Sequence, residues 1–160
     1  AIPAIMLAIA LIALSKASIA IVIVAVTLPE VPRVVRLVRS VVLTIREQPY
    51  IEAATAIGTS VPRIMLRHLL PNALPALIVQ ATYICASAVL IEAALSFLGA
   101  GTPPEVPSWG NIMAEARPYF QLKPSMVLLP GLFLAVTVLA INLVGDGLRD
   151  MLDPQLARRM

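Results

Sequence analysis

Four apolar runs, at residues 1–14, 19–40, 73–98 and 125–144, dominate this chain, and most of its charge falls between or beside them. That arrangement leaves few folds open. Soluble domains carry roughly 45–50% apolar and about 25% charged residues. This chain is 59% hydrophobic and 13% charged, with a mean hydropathy of +0.92. A chain of 160 residues cannot hide that surplus in its own interior, so lipid must serve as solvent for much of it. The expected fold class is all-α, a polytopic transmembrane helical bundle.

The first 29 residues are interrupted only by Ser15-Lys16-Ala17-Ser18. As one helix they would measure roughly 43 Å at about 1.5 Å per residue, more than a hydrocarbon core of ~30 Å needs. A single tilted span therefore competes with a hairpin at 15–18 that joins the tail of one span to another starting near Ile19. Lysine at mid-membrane is expensive, which favours the hairpin with Lys16 in water. The chain opens inside apolar sequence with no basic leader segment or cleavage pattern, so its start does not read as a signal peptide. It reads as the interior of a longer chain, a partial domain whose first span is cut short.

The second run passes Pro29 and Pro32 into Arg33, Arg36 and Arg39, which recur every third residue and share one side of a helix at the membrane interface. Run 73–98 would make roughly 39 Å of helix and holds Gln80, Tyr83, Cys85 and Glu92. Run 125–144 carries Pro130-Gly131, the place for a kink. Between them, 99–124 is rich in glycine and proline and reads as a structured loop. Ser108 is placed to cap a short helix over 109–119, with Trp109, Tyr119 and Phe120 at headgroup level.

Positive charge orients the chain. Arg33, Arg36, Arg39, Arg46, Arg63 and Arg67 fall in 30–71, and Arg149, Arg158 and Arg159 in the tail, against Lys16, Arg117 and Lys123 on the other side. Segment 30–71 and the C-terminus are thus expected in the cytoplasm, with loop 99–124 outside. The same clustering beside apolar runs argues against a nucleic-acid partner, despite the net charge of +3. A lone cysteine allows no intramolecular disulfide, and one histidine makes no multi-histidine metal site.

Segment 49–71 reads as a helix–turn–helix. Pro49 suits a first turn, and Glu52 meets the positive end of the helix dipole. Gly58 can take the left-handed conformation that ends the helix, Ser60 can cap the next, and Pro62 still lies in its first turn. Tyr50, Ala53, Ala54 and Ile57 form one expected apolar stripe; Val61, Ile64, Met65 and His68 form another. Arg63 and Arg67, four apart, make a basic edge. A polar bend between two spans is built to touch something in the cytoplasm, or else it lies on the lipid surface as an amphipathic loop.

The string Glu52-Ala53-Ala54, three residues, Gly58, nine residues, His68-Leu69-Leu70-Pro71 resembles the EAA loop of ABC importer permeases. That family's pattern closes on Ile-x-Leu-Pro, so His68 departs from it. Arg67-His68-Leu69-Leu70-Pro71-Asn72 is similar to the form seen in the dipeptide/oligopeptide/nickel branch. Glu92-Ala93-Ala94-Leu95-Ser96-Phe97-Leu98-Gly99, Pro107-Ser108-Trp109-Gly110, and Gly145-Asp146-Gly147-Leu148-Arg149-Asp150 through Asp153-Pro154 resemble the same branch, in order, over nearly the whole chain. Its C-type dipeptide permease subunit is the nearest likeness.

This resemblance implies the C-terminal part of a type I importer permease in a bacterial or archaeal cytoplasmic membrane. Loop 46–71 would be the coupling element, with Glu52, Ala53, Ala54, Gly58, Arg63, Arg67 and Pro71 engaging cytoplasmic ATP-binding subunits. It further implies a second homologous permease subunit as heterodimer partner and an extracytoplasmic solute-binding protein, with di- or oligopeptide, nickel or glutathione as cargo. No cofactor is implied.

Within the membrane, Glu92 reads as the only acid deep in a span, a position that suggests function by default. Gln80, Ile84, Ala88 and Glu92 succeed one another at steps of four, so Gln80 and Glu92 share a helical face as pathway candidates. A structural acid bonded to its neighbours, near the outer interface, is the competing and favoured reading for Glu92. Asn142 and Asp146 can cap the last span or bond between helices, and Asn142 is a further pathway candidate. No phosphate-binding Gly-x4-Gly-Lys-Ser/Thr loop and no His-Glu-x-x-His or Gly-x-Ser-x-Gly motif occurs, so no catalytic residue or metal ligand is assigned. A secondary transporter or channel is the rival class, and it would call for more buried charge than this.

Overall fold

The structure, a computed structural model, describes residues 4–14 and 18–152. Every regular element among them is helical. Helix α1 spans Ala4–Leu14, α2 Ile19–Arg46 and α3 Pro49–Ala56. Helix α4 (Val61–Ile64) passes through a π-helical turn at Met65–Leu69 directly into α5 (Leu70–Phe97). Helix α6 (Trp109–Ala116) runs into a 3₁₀ turn at Arg117–Tyr119, and α7 spans Ser125–Leu152.

Two of these are long and apolar enough to cross a membrane: the continuous helix Val61–Phe97 and Ser125–Met151. Leu128, Leu129, Leu132, Phe133, Val136, Leu139 and Leu143 of α7 are all exposed, a row that water would not tolerate and lipid would. Helix α2 is equally long, but Glu30, Arg33 and Arg36 already fall within its first 18 residues.

Prolines punctuate this fold less than the sequence suggests. Helix α2 continues through Pro29 and Pro32, α5 holds Pro75, and α7 holds Pro130 with no break in helical structure. The segment expected to end a bend at Pro71 is instead joined to α5. The π turn explains how: Pro71 lacks the N–H that would bond to the Arg67 carbonyl, and the wider turn bonds Leu70 N–H to Met65 O instead. Helix α7 likewise runs beyond the expected end near 144, so Gly145 to Asp150 are helical.

The chain divides into two compact units. One comprises the residues up to Val31 together with Ile84–Asn142. Its fully buried centre is Ala8, Ala25 and Leu95, with Leu11 and Ile91 packed on it, so α1 and α2 each bring an alanine that lets them approach closely while α5 supplies the bulk of Leu95. Helices α1 and α2 are separate and packed together. Ser18 caps α2, its hydroxyl accepting from Ile21 N–H at 3.3 Å. Of the expected hairpin at 15–18, residues 15–17 with Lys16 lie outside the described residues, as do Asp153, Pro154, Arg158 and Arg159.

The other unit comprises Pro32–Tyr83 with the residues from Leu143 onward. Here Gly145 of α7 lies hard against Thr82 of α5; a β-carbon at 145 would stand 2.7 Å from Thr82 Cβ. Thr82 turns its hydroxyl back onto its own helix, donating to Ile78 O and Val79 O.

Candidate functional site

The bend at 46–71 is assembled from local backbone rules. Gln48 occupies the N-cap position in extended conformation, Pro49 comes next as the first helical residue, and Glu52 sits in the first turn. At the other end of α3, Gly58 takes φ +77°. Gly58 N–H bonds to Thr55 O and Thr59 N–H to Ala54 O, both at 3.0 Å, the paired bonds of a Schellman cap. A β-carbon on Gly58 would meet nothing within 4 Å, so the turn asks for glycine by its backbone handedness alone. Ser60 then holds the expected N-cap position of α4 in extended conformation. Its side chain makes no capping bond; the backbone carbonyl alone receives Arg63 and Ile64 N–H.

Burial corrects both expected stripes. The bend's core is Ile51, Ala54 and Ile64, flanked by Ile45 and Leu69. Tyr50, Ile57, Val61 and Met65 are exposed, Ile57 by 82%. Ile45 at the end of α2 and Leu69 in the π turn choose the face, and periodicity within α3 could not reveal that. Of the coupling residues expected here, Glu52, Ala53, Gly58, Arg63, Arg67 and Pro71 face outward, whereas Ala54 is a packing residue. His68 is half-buried, its ring 6.1 Å from that of Tyr50, so the π turn and α3 touch through a tilted aromatic pair. A groove of about 1020 Å³ opens between the end of α2 and the bend. Ile51, Val61 and Ile64 supply apolar lining, and Arg46, Glu47 and Glu52 supply charge.

A second constellation lies at the far end of α5. Helix α5 ends in a Schellman cap like that of α3, with Gly99 at φ +80°, Gly99 N–H bonded to Ser96 O and Ala100 N–H to Leu95 O. The chain then folds back onto the helix. Ser96 Oγ donates to Glu92 Oε1 at 2.7 Å and Thr102 Oγ1 donates to the same oxygen at 3.2 Å. Thr102 N–H donates to Ser96 Oγ at 3.2 Å. Asn111, 8% exposed, directs Nδ2 at Thr102 Oγ1 (3.1 Å), Pro103 O (3.1 Å), Val106 O (2.9 Å) and Thr102 O (3.4 Å). Ser108 caps α6 as expected, accepting from Asn111 N–H at 3.1 Å. Trp109 stacks on Phe133 of α7 at 5.6 Å, and Arg117 lies 4.3 Å above the Phe97 ring.

Glu92 is therefore embedded in the chain's own polar contacts, five residues before α5 ends, or roughly 7.5 Å along the helix. Nor is it the only acid within a long helix: Glu30 of α2 is 9% exposed. Gln80 is half-buried, and its Nε2 is buried without a hydrogen-bond partner among the described residues. Asn142 turns its amide back to Val138 O at 3.0 Å, within α7. Cys85 is free and exposed. Thr102 and Asn111 escaped the sequence reading, and Ser96 entered it only as part of a family-like stretch. The available signal was Asn111 at the third position after the N-cap Ser108, next to Gly110.

Residues 1–158 match the family described as binding-protein-dependent transport system inner membrane component. A probable peptide ABC transporter permease protein of Sinorhizobium fredii is 54% identical over 158 residues, 99% of this chain and 54% of that protein. The dipeptide transport system permease protein of Alkalihalophilus pseudofirmus is 44% identical over 156 residues, 98% of this chain and 51% of its own length. A glutathione transport system permease protein of Escherichia coli is 43% identical over 156 residues, with 98% and 52% covered. The chain spans about half the length of these curated relatives.

Proposed function

Because this chain belongs to the family of binding-protein-dependent transport system inner membrane components, we propose that it is part of the permease subunit of an ATP-driven importer of di- or oligopeptides. The bend at 46–71 seats on a cytoplasmic ATP-binding subunit. One observation carries this reading. The bend is self-supported on Ile51, Ala54 and Ile64, and so leaves Glu52, Ala53, Arg63 and Arg67 outward and available to a partner.

Arginine distribution supports placing 30–71 and the C-terminus in the cytoplasm and the 99–124 loop outside. Motion of the ATP-binding subunits then reaches the first turns of α5 through the uninterrupted backbone from Val61. Hydrolysis belongs to those separate subunits. A second permease subunit and an extracytoplasmic solute-binding protein complete the assembly, with Gln80 and Asn142 as pathway candidates. Peptide cargo is favoured because the three relatives are named for peptide, dipeptide and glutathione transport, and glutathione is itself a tripeptide.

Gly58→Val tests the coupling in the full-length chain assembled with its partners. A β-branched residue strains the left-handed turn without filling any space. We expect peptide uptake to fall about tenfold or more and a cysteine at Ala53 to stop cross-linking to the ATP-binding subunit. Unchanged uptake and unchanged cross-linking would defeat the coupling role. Uptake that persists without any ATP-binding subunit would point to a secondary transporter.

A further inference from the structure

We propose that Glu92, Ser96, Thr102 and Asn111 are positioning residues that clasp the 99–111 loop to the last turns of α5, so that this loop, α6 and the neighbouring parts of α5 and α7 move as one body.

Proton bookkeeping sets the direction of every bond in the clasp. Each hydroxyl has one hydrogen to give. Ser96 and Thr102 both approach Glu92 Oε1, at 2.7 and 3.2 Å, and each receives a donor from behind: Thr102 N–H onto Ser96 Oγ, Asn111 Nδ2 onto Thr102 Oγ1. Two relays therefore run from the loop through a hydroxyl each and converge on a single carboxylate oxygen. The Ser96–Thr102 oxygen pair, 3.2 Å apart, then needs no proton of its own. At the other end, the two hydrogens of the Asn111 amide are shared among four acceptors contributed by Thr102, Pro103 and Val106. An amide nitrogen is the neutral group that suits such a cage, since a carboxylate there would face acceptors only.

Steric fit runs along the same lines. Ser96 is 2% exposed. A β-carbon on Gly101 would strike Ser96 Oγ and the Ser96 backbone, and one on Gly110 would come within 2.6 Å of Ala93 O and 2.7 Å of Ser96 Cβ. Both glycines are thus pressed onto the turn of α5 that carries Ser96. Trp109 on Phe133 extends the body to α7, and Arg117 over Phe97 closes the loop's far end on α5. All of these residues belong to one compact unit. The clasp stands on geometry alone. Its consequence for transport, a rigid outer element that transmits rather than absorbs a conformational change, rests on the importer reading.

The test measures backbone amide exchange across 99–112 in the full-length transporter assembled in nanodiscs, alongside uptake of labelled dialanine. Asn111→Ala and Glu92→Ala should each accelerate loop exchange about tenfold or more. Glu92→Gln, which keeps an acceptor oxygen, should stay within about twofold of the unaltered chain. Uptake by Glu92→Ala should lose kcat with KM for dialanine unchanged. If Asn111→Ala prevents assembly, Thr102→Val provides the milder break, and Thr102→Ser should restore protection. The clasp is overturned if loop exchange is unmoved in these variants, or if Glu92→Gln exchanges as fast as Glu92→Ala. A rise in KM for Glu92→Ala with loop exchange unchanged would assign Glu92 to the cargo pathway instead. Should the unaltered transporter take up no peptide, the importer reading fails while exchange alone still decides the clasp.

Discussion

At Gly58 and at Gly99 the chain leaves a helix through the same left-handed residue and the same pair of backbone bonds, yet the two exits lead to opposite kinds of structure. After Gly58 it enters α4 and the π turn, which are held to α3 by the Ile51, Ala54 and Ile64 cluster and by the tilted Tyr50–His68 pair. After Gly99 it turns back onto the helix it has just left, held by side-chain hydrogen bonds and two glycine contacts. The first device uses few polar side chains on itself, so charged residues stay available at its surface. The second turns its polar side chains inward and becomes a fixture. An outward-facing part and an inward-fastened part can thus grow from one capping motif.

The contrast can be broken most severely at Gly110. Gly110→Val places bulk against the Ala93 backbone, which cannot swing aside as a long side chain would, and should cost about 3 kcal/mol. The denaturation midpoint of the purified protein in detergent would show it. Ile64→Ala removes a central part of the bend's small core and should cost about 2 kcal/mol by the same assay, at the low end for such truncations because the cluster is shallow. Next come the twin caps. Gly58→Ala and Gly99→Ala meet no atom within 4 Å, so each should cost about 1 kcal/mol, equal within error, by backbone handedness alone. Their functional effects should separate, with only Gly58→Ala weakening capture of the ATP-binding subunit in pull-down. Smallest of all, Arg63→Ala should move the midpoint by less than about 0.5 kcal/mol, whereas Arg117→Ala should cost about 0.5–1 kcal/mol through the lost Phe97 contact. An equal cost for the two arginines would erase the distinction between a free edge and a fastened one.

Much of the bend, and the start of α6, was legible because the rules there act over a few residues. Pro49 at a first turn, Gly58 at a left-handed cap and Ser108 before a short helix are each set by backbone hydrogen bonding within one turn. The buried face was not legible. Tyr50 and Ile57 share a plausible stripe, but Ile45 and Leu69, on other elements, select Ile51 and Ala54 instead. Glu92 was visible as an anomaly and its partners were not. Ser96 lies one turn on, but Thr102 and Asn111 reach it only through a loop with no period to read. Pro71 misled for a related reason: a proline signals trouble for the preceding turn, and here the turn widened rather than stopped.

The widened turn at Met65–Leu69 has an arithmetical consequence. A π turn holds one residue more than the α turn it replaces, and one residue is worth roughly 100° of rotation about a helix axis. Ile64 stands immediately before that surplus residue and finds Ile51 and Ala54 only at this phase. Rewinding those same five residues as α turns would spin α4 like a mis-set dial, carrying Ile64 into the open and bringing Met65 to its place, whereas excising one residue would leave an α turn and the same phase. The azimuth of the bend's outward face is thus stored in how the neck beneath it is wound.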